Sequence, residues 1–125
     1  MNRTKALLTL RPEVSSATND SKTSPEETFQ NRTLRPIIKF QHDLVLRATT
    51  NMILKFHKDF SLLTIEKQTL KIDALFNSNN QLKNELRGII VGLFSLEEFE
   101  VYTTMRTDIN KRIIQIIKER VISTL

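Results

Sequence analysis

The chain has 125 residues, 39% of them hydrophobic and 26% charged, so it provides one small domain with its tails and matches neither a disordered chain nor a membrane protein. Its net charge of +5 permits binding to nucleic acid or to an anionic surface without requiring it. The absence of cysteine excludes disulfides, thiolate nucleophiles and thiolate metal sites. The apolar stretch that follows the basic N-terminus is too short for a signal sequence, and we therefore expect a cytoplasmic protein.

The first part of the chain lacks helical periodicity. Residues 1–24 hold Ser, Thr, Asn, Asp and Pro, and residues 6–10 (Ala-Leu-Leu-Thr-Leu) are their only apolar piece. This composition is typical of loops and tails. We therefore predict an extended N-terminal tail over residues 1–24 and a helical domain over residues 25–125.

A strong helix start follows the tail. Ser24 can cap a helix, Pro25 suits its first position, and Glu27 completes a capping box. This helix is predicted to end near residue 34, because Pro36 lacks a backbone donor and disfavours helical geometry at the residue before it. We expect a break or kink there, and then a long helix that ends near residue 58.

The remainder of the chain divides into further helices. Ser78 with Gln81, and Ser95 with Glu98, form two more capping boxes, and Thr107 can cap the last helix. Apolar residues recur at helical spacing, and no stretch alternates with a period of two. The predicted fold is all-α, a single compact domain of five to six helices.

The only two glycines, Gly88 and Gly92, lie four residues apart inside a predicted helix. Each glycine in a helix interior costs about 1 kcal/mol relative to alanine, so the pair suggests a compensating close contact. Helical spacing puts both on one narrow stripe at the flank of the apolar face. We predict close helix packing or partner docking at this stripe. Four neighbours could make this contact: the first helix of the chain, the tail segment at residues 6–10, another copy of the protein, or nucleic acid.

Side chains that could support catalysis or metal binding are sparse. His42 and His57 lie about four helical turns apart and cannot chelate one ion together. Glu97, Glu98 and Glu100 stand near a helix start, where carboxylates usually serve the cap and the helix dipole. We therefore predict no catalytic residue, no metal site and no cofactor, and expect the protein not to be an enzyme.

Basic side chains offer a second candidate contact. Arg32, Arg35 and Lys39 step along one side of the first helix if it continues through the intervening proline, and Lys111 and Lys118 share a face of the last helix. Positive side chains at such spacing can contact successive phosphates of a nucleic acid. The alternative is a solvated basic face without a ligand. We predict these five residues as contacts to nucleic acid or another partner.

Three segments, residues 27–41, 86–102 and 109–120, carry a family resemblance. Together they resemble a group of small all-helical bacterial proteins that are often labelled glyoxalase. The resemblance implies a helical fold. Glyoxalases resemble βαβββ modules with metal ligands on strands, and this chain has neither the strand pattern nor the ligand set. The resemblance therefore implies kinship but transfers no activity and no site residue.

The leading hypothesis is a small, basic, non-enzymatic helical protein that docks on a larger assembly, an RNA-containing one such as the ribosome. One alternative is a helical protein–protein interaction module, including a homodimer, that uses the glycine stripe or an isoleucine face of the last helix. Ile114 and Ile122 lie off the main face of that helix and suggest surplus apolar surface. A remote alternative is a metal-dependent glyoxalase-like lyase. We expect no membrane partner and no small-molecule substrate.

Overall fold

The computed structural model describes residues 2–12 and 23–125, and every regular element in these ranges is helical. Helix α2 spans residues 25–40 and consists of an α-helical start at Pro25–Phe29, a π-helical turn at Gln30–Leu34 and a second α-helical part at Arg35–Phe40. A short 3-10 turn lies at Phe60–Leu62. The other helices are α1 (Arg3–Leu10), α3 (His42–Phe56), α4 (Ile65–Ser78), α5 (Asn80–Val91), α6 (Leu96–Thr104) and α7 (Arg106–Ser123).

The predicted all-α fold is confirmed for the described ranges. They contain seven helices rather than the five to six expected. None of the helices in these ranges is long and apolar enough to cross a lipid bilayer.

The prediction of an extended tail over residues 1–24 is wrong for Arg3–Leu10, which form α1. The side chain of Asn2 caps this helix by accepting a hydrogen bond from the backbone N–H of Lys5 at 3.1 Å. Leu7 is buried and anchors the helix on the rest of the protein. A helix of this length is marginal by itself, so its contacts with the domain stabilise it. Residues 1 and 13–22 of the predicted tail lie outside the described residues.

The predicted end of the helix near residue 34 is also wrong, because a π-helical turn precedes Pro36 and the helix continues, whereas a kink there stays a prediction. The backbone N–H of Arg35 donates to the carbonyl of Gln30, five residues back, and the chain stays helical through Pro36. The wider turn accommodates the proline ring and its missing donor. The break falls instead at Gln41, whose side-chain amide donates to the carbonyl of Ile89 on α5 at 3.3 Å.

Two of the predicted helix caps are present in the structure, and another is absent. The predicted caps at Ser24 and Ser95 are present, and Ser95 with Glu98 forms a complete capping box. The predicted box at Ser78 is absent, because α4 runs to Ser78 and Asn79 caps α5 instead. The Asn79 side chain accepts the backbone N–H of Leu82 at 2.9 Å.

The hydrophobic core lies among α2, α3, α4, α5 and α7. Helix α7 contributes an inward stripe at intervals of four residues. Ile114 and Ile122, expected as surplus apolar surface, are partly buried and pack against this core. Side chains with no measurable exposure include Leu34, Ile37, Ile38, Val45, Leu82, Leu86, Ile90, Ile109, Ile113 and Ile117.

Candidate nucleic-acid interface

Four basic side chains line one groove at the junction of α4, α5 and α7. Lys83 and Arg87 come from α5, and Lys111 and Lys118 come from α7. The groove has a volume of about 260 Å³. We call it the basic groove. The remaining side chains along it are Phe76, Asn77, Ile114 and Gln115.

The packing of α5 against α7 explains this convergence. Lys83 directly follows the buried Leu82 and Arg87 directly follows the buried Leu86, so both lie at the edge of the core face of α5. On α7, Lys118 directly follows the buried Ile117 in the same way. Residues at the edges of two packed helices meet across the seam between them. The packing of the buried face of α5 against that of α7 therefore brings these basic side chains together.

One of the four cations has a carboxylate partner. The Nζ atom of Lys118 lies 2.9 Å from an Oδ1 atom of Asp73 on α4, and both side chains are partly exposed. Within the described ranges, Lys83, Arg87 and Lys111 make no ion pair. The groove therefore carries an excess of positive charge that no described carboxylate balances.

The hydrogen bonds of the basic groove leave donors unused. The Lys83 Nζ atom reaches the carbonyl of Asn77 only at 3.5 Å, and the Arg87 Nη1 atom reaches Asn84 Oδ1 at 3.4 Å. The Nε atom of Arg87 is buried and has no hydrogen-bond partner in the described structure. A buried donor without a partner costs about 1–3 kcal/mol.

Of the predicted contact residues, the structure brings Lys111 and Lys118 into this groove. Sequence reasoning missed Lys83 and Arg87. Their spacing of four residues was a usable signal, but Glu85 lies between them and the segment around α5 and α6 has an acidic balance. The acidic balance of this segment therefore concealed the basic edge of α5, which becomes apparent only in the folded structure.

The other three predicted contact residues lie elsewhere. Arg32 is exposed and lines a separate groove of about 570 Å³ between α2 and α6, together with Glu97 and Glu98. Arg35 is half-buried, and its Nε atom donates to Asn31 Oδ1 at 3.2 Å. Lys39 is exposed. The π-helical turn changes the spacing on which the expected stripe depended, and glutamates accompany Arg32 in its groove.

Glu98 attaches the end of α1 to the rest of the protein. Both of its carboxylate oxygens accept hydrogen bonds from Arg11, each at 2.5 Å. The Thr33 hydroxyl and the Ser95 backbone N–H donate to the same carboxylate. Burial opposes the charge of Glu98 and would raise its pKa, but the hydrogen bonds from Arg11 and the Ser95 backbone outweigh it. The pKa of Glu98 is therefore lowered below its ordinary 4.5.

Two arginines at the ends of α1 also cap the C-terminal end of α5. Arg3 donates to the carbonyls of Phe94 at 2.7 Å and Gly92 at 3.1 Å, and Arg11 donates to that of Leu93 at 2.9 Å. Carbonyls at a helix end lack intrahelical donors and carry partial negative charge. The guanidinium groups satisfy three consecutive carbonyls there.

Among the described residues no neighbour packs closely against Gly88, and docking of a partner at the glycine stripe stays a prediction. A Cβ atom added at Gly88 would meet no neighbouring atom within 4 Å, and Gly88 is exposed. Gly92 ends α5, and its nearest neighbour is the carbonyl oxygen of Gly88 at 3.0 Å from such a Cβ. Helix α1 contacts this end of α5 through arginine side chains, which need no glycine.

Among the described residues, no group of three His, Cys, Asp or Glu side chains could hold a metal ion. The Nδ1 atom of His42 lies 3.2 Å from Arg120 Nη1, an arrangement in which the imidazole accepts from the guanidinium.

Comparisons of the chain with protein-family models, with curated proteins and with solved structures found no match. The convergence of four basic side chains makes the basic groove the candidate site.

Proposed function

We propose that this protein is a non-enzymatic helical protein that binds the phosphate backbone of RNA through the basic groove and thereby docks on a larger RNA-containing assembly, with the ribosome as the specific candidate. The observation that carries the proposal is the convergence of Lys83, Arg87, Lys111 and Lys118 on one groove. Three of these cations lack a carboxylate partner among the described residues.

The chemistry of the groove suits phosphate oxygens. The guanidinium group of Arg87 and the ammonium groups of Lys83 and Lys111 are donors, and a phosphate presents acceptors with negative charge. Phe76, the aromatic side chain in the groove, is buried and unable to stack on a base. Contacts of this kind position a protein on a nucleic acid without reading its sequence. We therefore expect affinity that depends on salt and little on base sequence.

A pair of charge-matched variants tests the proposal. The groove variant combines Lys83→Gln, Arg87→Gln and Lys111→Gln. The control combines Lys5→Gln, Arg47→Gln and Lys55→Gln, three exposed residues on α1 and α3. Each variant lowers the formal net charge from +5 by three, to +2. Any difference between them then reports the location of the charges and not their number.

Fluorescence anisotropy with a labelled RNA of about 20 nucleotides, titrated between about 50 and 200 mM salt, is the measurement. The slope of log affinity against log salt concentration should become shallower by about 2 in the groove variant. Each lost phosphate contact reduces the magnitude of this slope by about 0.7–0.9, and the variant removes three cations. The control should keep a slope close to that of the unaltered protein. Equal losses in the two variants, with circular dichroism showing both folded, would overturn the proposal.

The larger assembly is tested by sedimentation of cell extract on a sucrose gradient. The unaltered protein should move with ribosomal fractions and leave them after nuclease treatment, and the groove variant should stay at the top. A third variant, with Arg32, Arg35 and Lys39 replaced by alanine, should still sediment with ribosomes. Loss of sedimentation in this variant alone would place the contact on α2 instead.

A further inference from the structure

A second groove, with different chemistry, follows the end of α3 and the outer side of α4. It consists of two adjoining hollows, of about 550 and 370 Å³, which share His57, Lys71 and Ala74. Phe56, Leu63 and Leu70 supply apolar surface along it. We call this the apolar groove. Its volume is sufficient for several side chains of a partner.

Two of the exposed hydrophobic side chains of this region lie in the apolar groove, and two more are close to it along the chain. Leu70 is 65% exposed and Phe56 is 58% exposed, and both line the groove. Leu62 and Ile65, in the neighbouring turn and at the start of α4, are 85% and 64% exposed. Exposed apolar side chains that line a groove mark an interaction site more often than an isolated exposed leucine does.

The rim of the apolar groove is basic. Lys67 and Lys71 lie one helical turn apart on α4, beside Leu70 and Ala74 at the same spacing. Lys55 lies next to the groove, with its Nζ atom 5.9 Å from the centre of the Phe56 ring. Asp59 is the acidic side chain lining the groove in the described structure. The balance of charge therefore favours an acidic occupant.

We infer that the apolar groove binds an amphipathic helix of a protein partner, with apolar side chains at helical spacing and Asp or Glu residues beside them. An apolar stripe would enter the groove at Leu70 and Ala74, and the carboxylates would face Lys67 and Lys71. The distance along α4 from Lys67 to Ser78 corresponds to about 16 Å, or three turns of a partner helix.

Charge argues against the other occupants. A second copy of the chain placed on the same surface would bring lysines against lysines, which opposes association. RNA would satisfy the lysines but would gain nothing from the exposed Leu70 and Phe56 side chains. An acidic amphipathic helix satisfies both parts of the surface. This inference concerns a different groove from the one in the proposed function and does not depend on it.

A displayed library of random peptides of about 16 residues, selected on the unaltered protein in the presence of excess RNA, tests the inference. Enriched sequences should carry Leu, Ile or Phe at intervals of three and four residues with Asp or Glu between them. A synthetic enriched peptide should lose at least about tenfold in affinity on Leu70→Lys, since the change fills the apolar surface with charge. The double change Lys67→Glu and Lys71→Glu should weaken binding at least as much, and the remaining affinity should no longer fall as the salt concentration rises.

Matched controls locate the effect. The double change Lys83→Glu and Lys111→Glu, in the basic groove, reverses the same number of charges and should leave peptide affinity unchanged. Leu96→Lys alters another exposed leucine, on α6, and should also have no effect. Failure of the RNA experiment with a positive peptide result would thus reject only the basic groove.

Several results would overturn the inference. They are a library without enrichment, enrichment of basic peptides, peptide affinity that survives Leu70→Lys, and a dimer in light scattering that Leu70→Lys dissociates. The last result would assign the surface to a second copy. Loss of RNA binding on Lys67→Glu and Lys71→Glu, without any effect of Leu70→Lys, would assign it to nucleic acid.

Discussion

Gly88 and Gly92 differ in what a methyl group would meet at each position. At Gly88 it would find open space, and at Gly92 it would lie 3.0 Å from a backbone oxygen. Gly88→Ala should therefore raise the free energy of unfolding by about 1 kcal/mol, the ordinary gain for an exposed helix interior. This corresponds to an increase of about 4 °C in melting temperature.

The matched change Gly92→Ala should gain less, because the carbonyl of Gly88 must shift to admit the methyl group. Thermal melts of both variants by circular dichroism check the pair. A destabilised Gly88→Ala variant would mean that a neighbour covers the glycine after all, and it would restore the close contact expected from the sequence.

Glu98 makes the stability of the protein sensitive to acid. Its pKa is lowered in the folded state, so its charged form stabilises the fold above the ordinary value of 4.5. This contribution is lost as the pH falls through the lowered pKa of the folded protein. Glu98→Gln should cost about 3 kcal/mol near neutral pH, because Arg11 then remains largely buried without its partner.

Denaturant unfolding of the unaltered protein and Glu98→Gln, from about pH 7 to about pH 3, measures this contribution. The difference between the two should shrink towards acid. Glu97→Gln, an exposed neighbour, is the control and should behave like the unaltered protein. A difference that stays constant with pH would show that the charge of Glu98 does not stabilise the fold.

At the scale of the elements, α1 depends on its two arginines. A helix of eight residues has little stability of its own, so docking keeps it folded. Arg11→Ala removes the pair with Glu98 and one cap of α5. Hydrogen exchange should then become faster in α1 and at residues 92–94. Lys5→Ala, on the exposed side of α1, should leave exchange unchanged. Protection that persists in Arg11→Ala would contradict this role.

The sequence predicted those helix boundaries that depend on residues a few positions away along the chain. The caps at Ser24 and Ser95 could be identified because each depends on residues within three positions along the chain. The break at Gln41 could not, since the side chain that accompanies it contacts Ile89, 48 residues away. Helix α1 was missed for the same reason: Arg11 finds its carboxylate 87 residues away.

The basic groove shows the same limit for the site. The shared face of Lys111 and Lys118 followed from their spacing on one helix. Their association with Lys83 and Arg87 required knowing that α5 packs on α7. The stripe at Arg32, Arg35 and Lys39 assumed uniform helical spacing, and the π-helical turn at Gln30–Leu34 removes that assumption.

At the scale of the whole molecule, α4 contributes to both grooves. Phe76 and Asn77 line the basic groove, and Asp73 pairs with Lys118 there. Leu70 and Lys71 line the apolar groove. With RNA in the first groove and an acidic helix in the second, the protein would act as an adaptor between a nucleic acid and a protein.

The location of the RNA contact is the central claim, and NMR mapping tests it most directly. Unlabelled RNA would be titrated into the isotope-labelled full chain, and backbone and side-chain shifts would be followed. The account predicts the largest changes at Lys83 and Arg87 on α5 and at Lys111 and Lys118 on α7. Changes concentrated at residues 32–39 of α2, or spread evenly over all exposed basic residues, would contradict it.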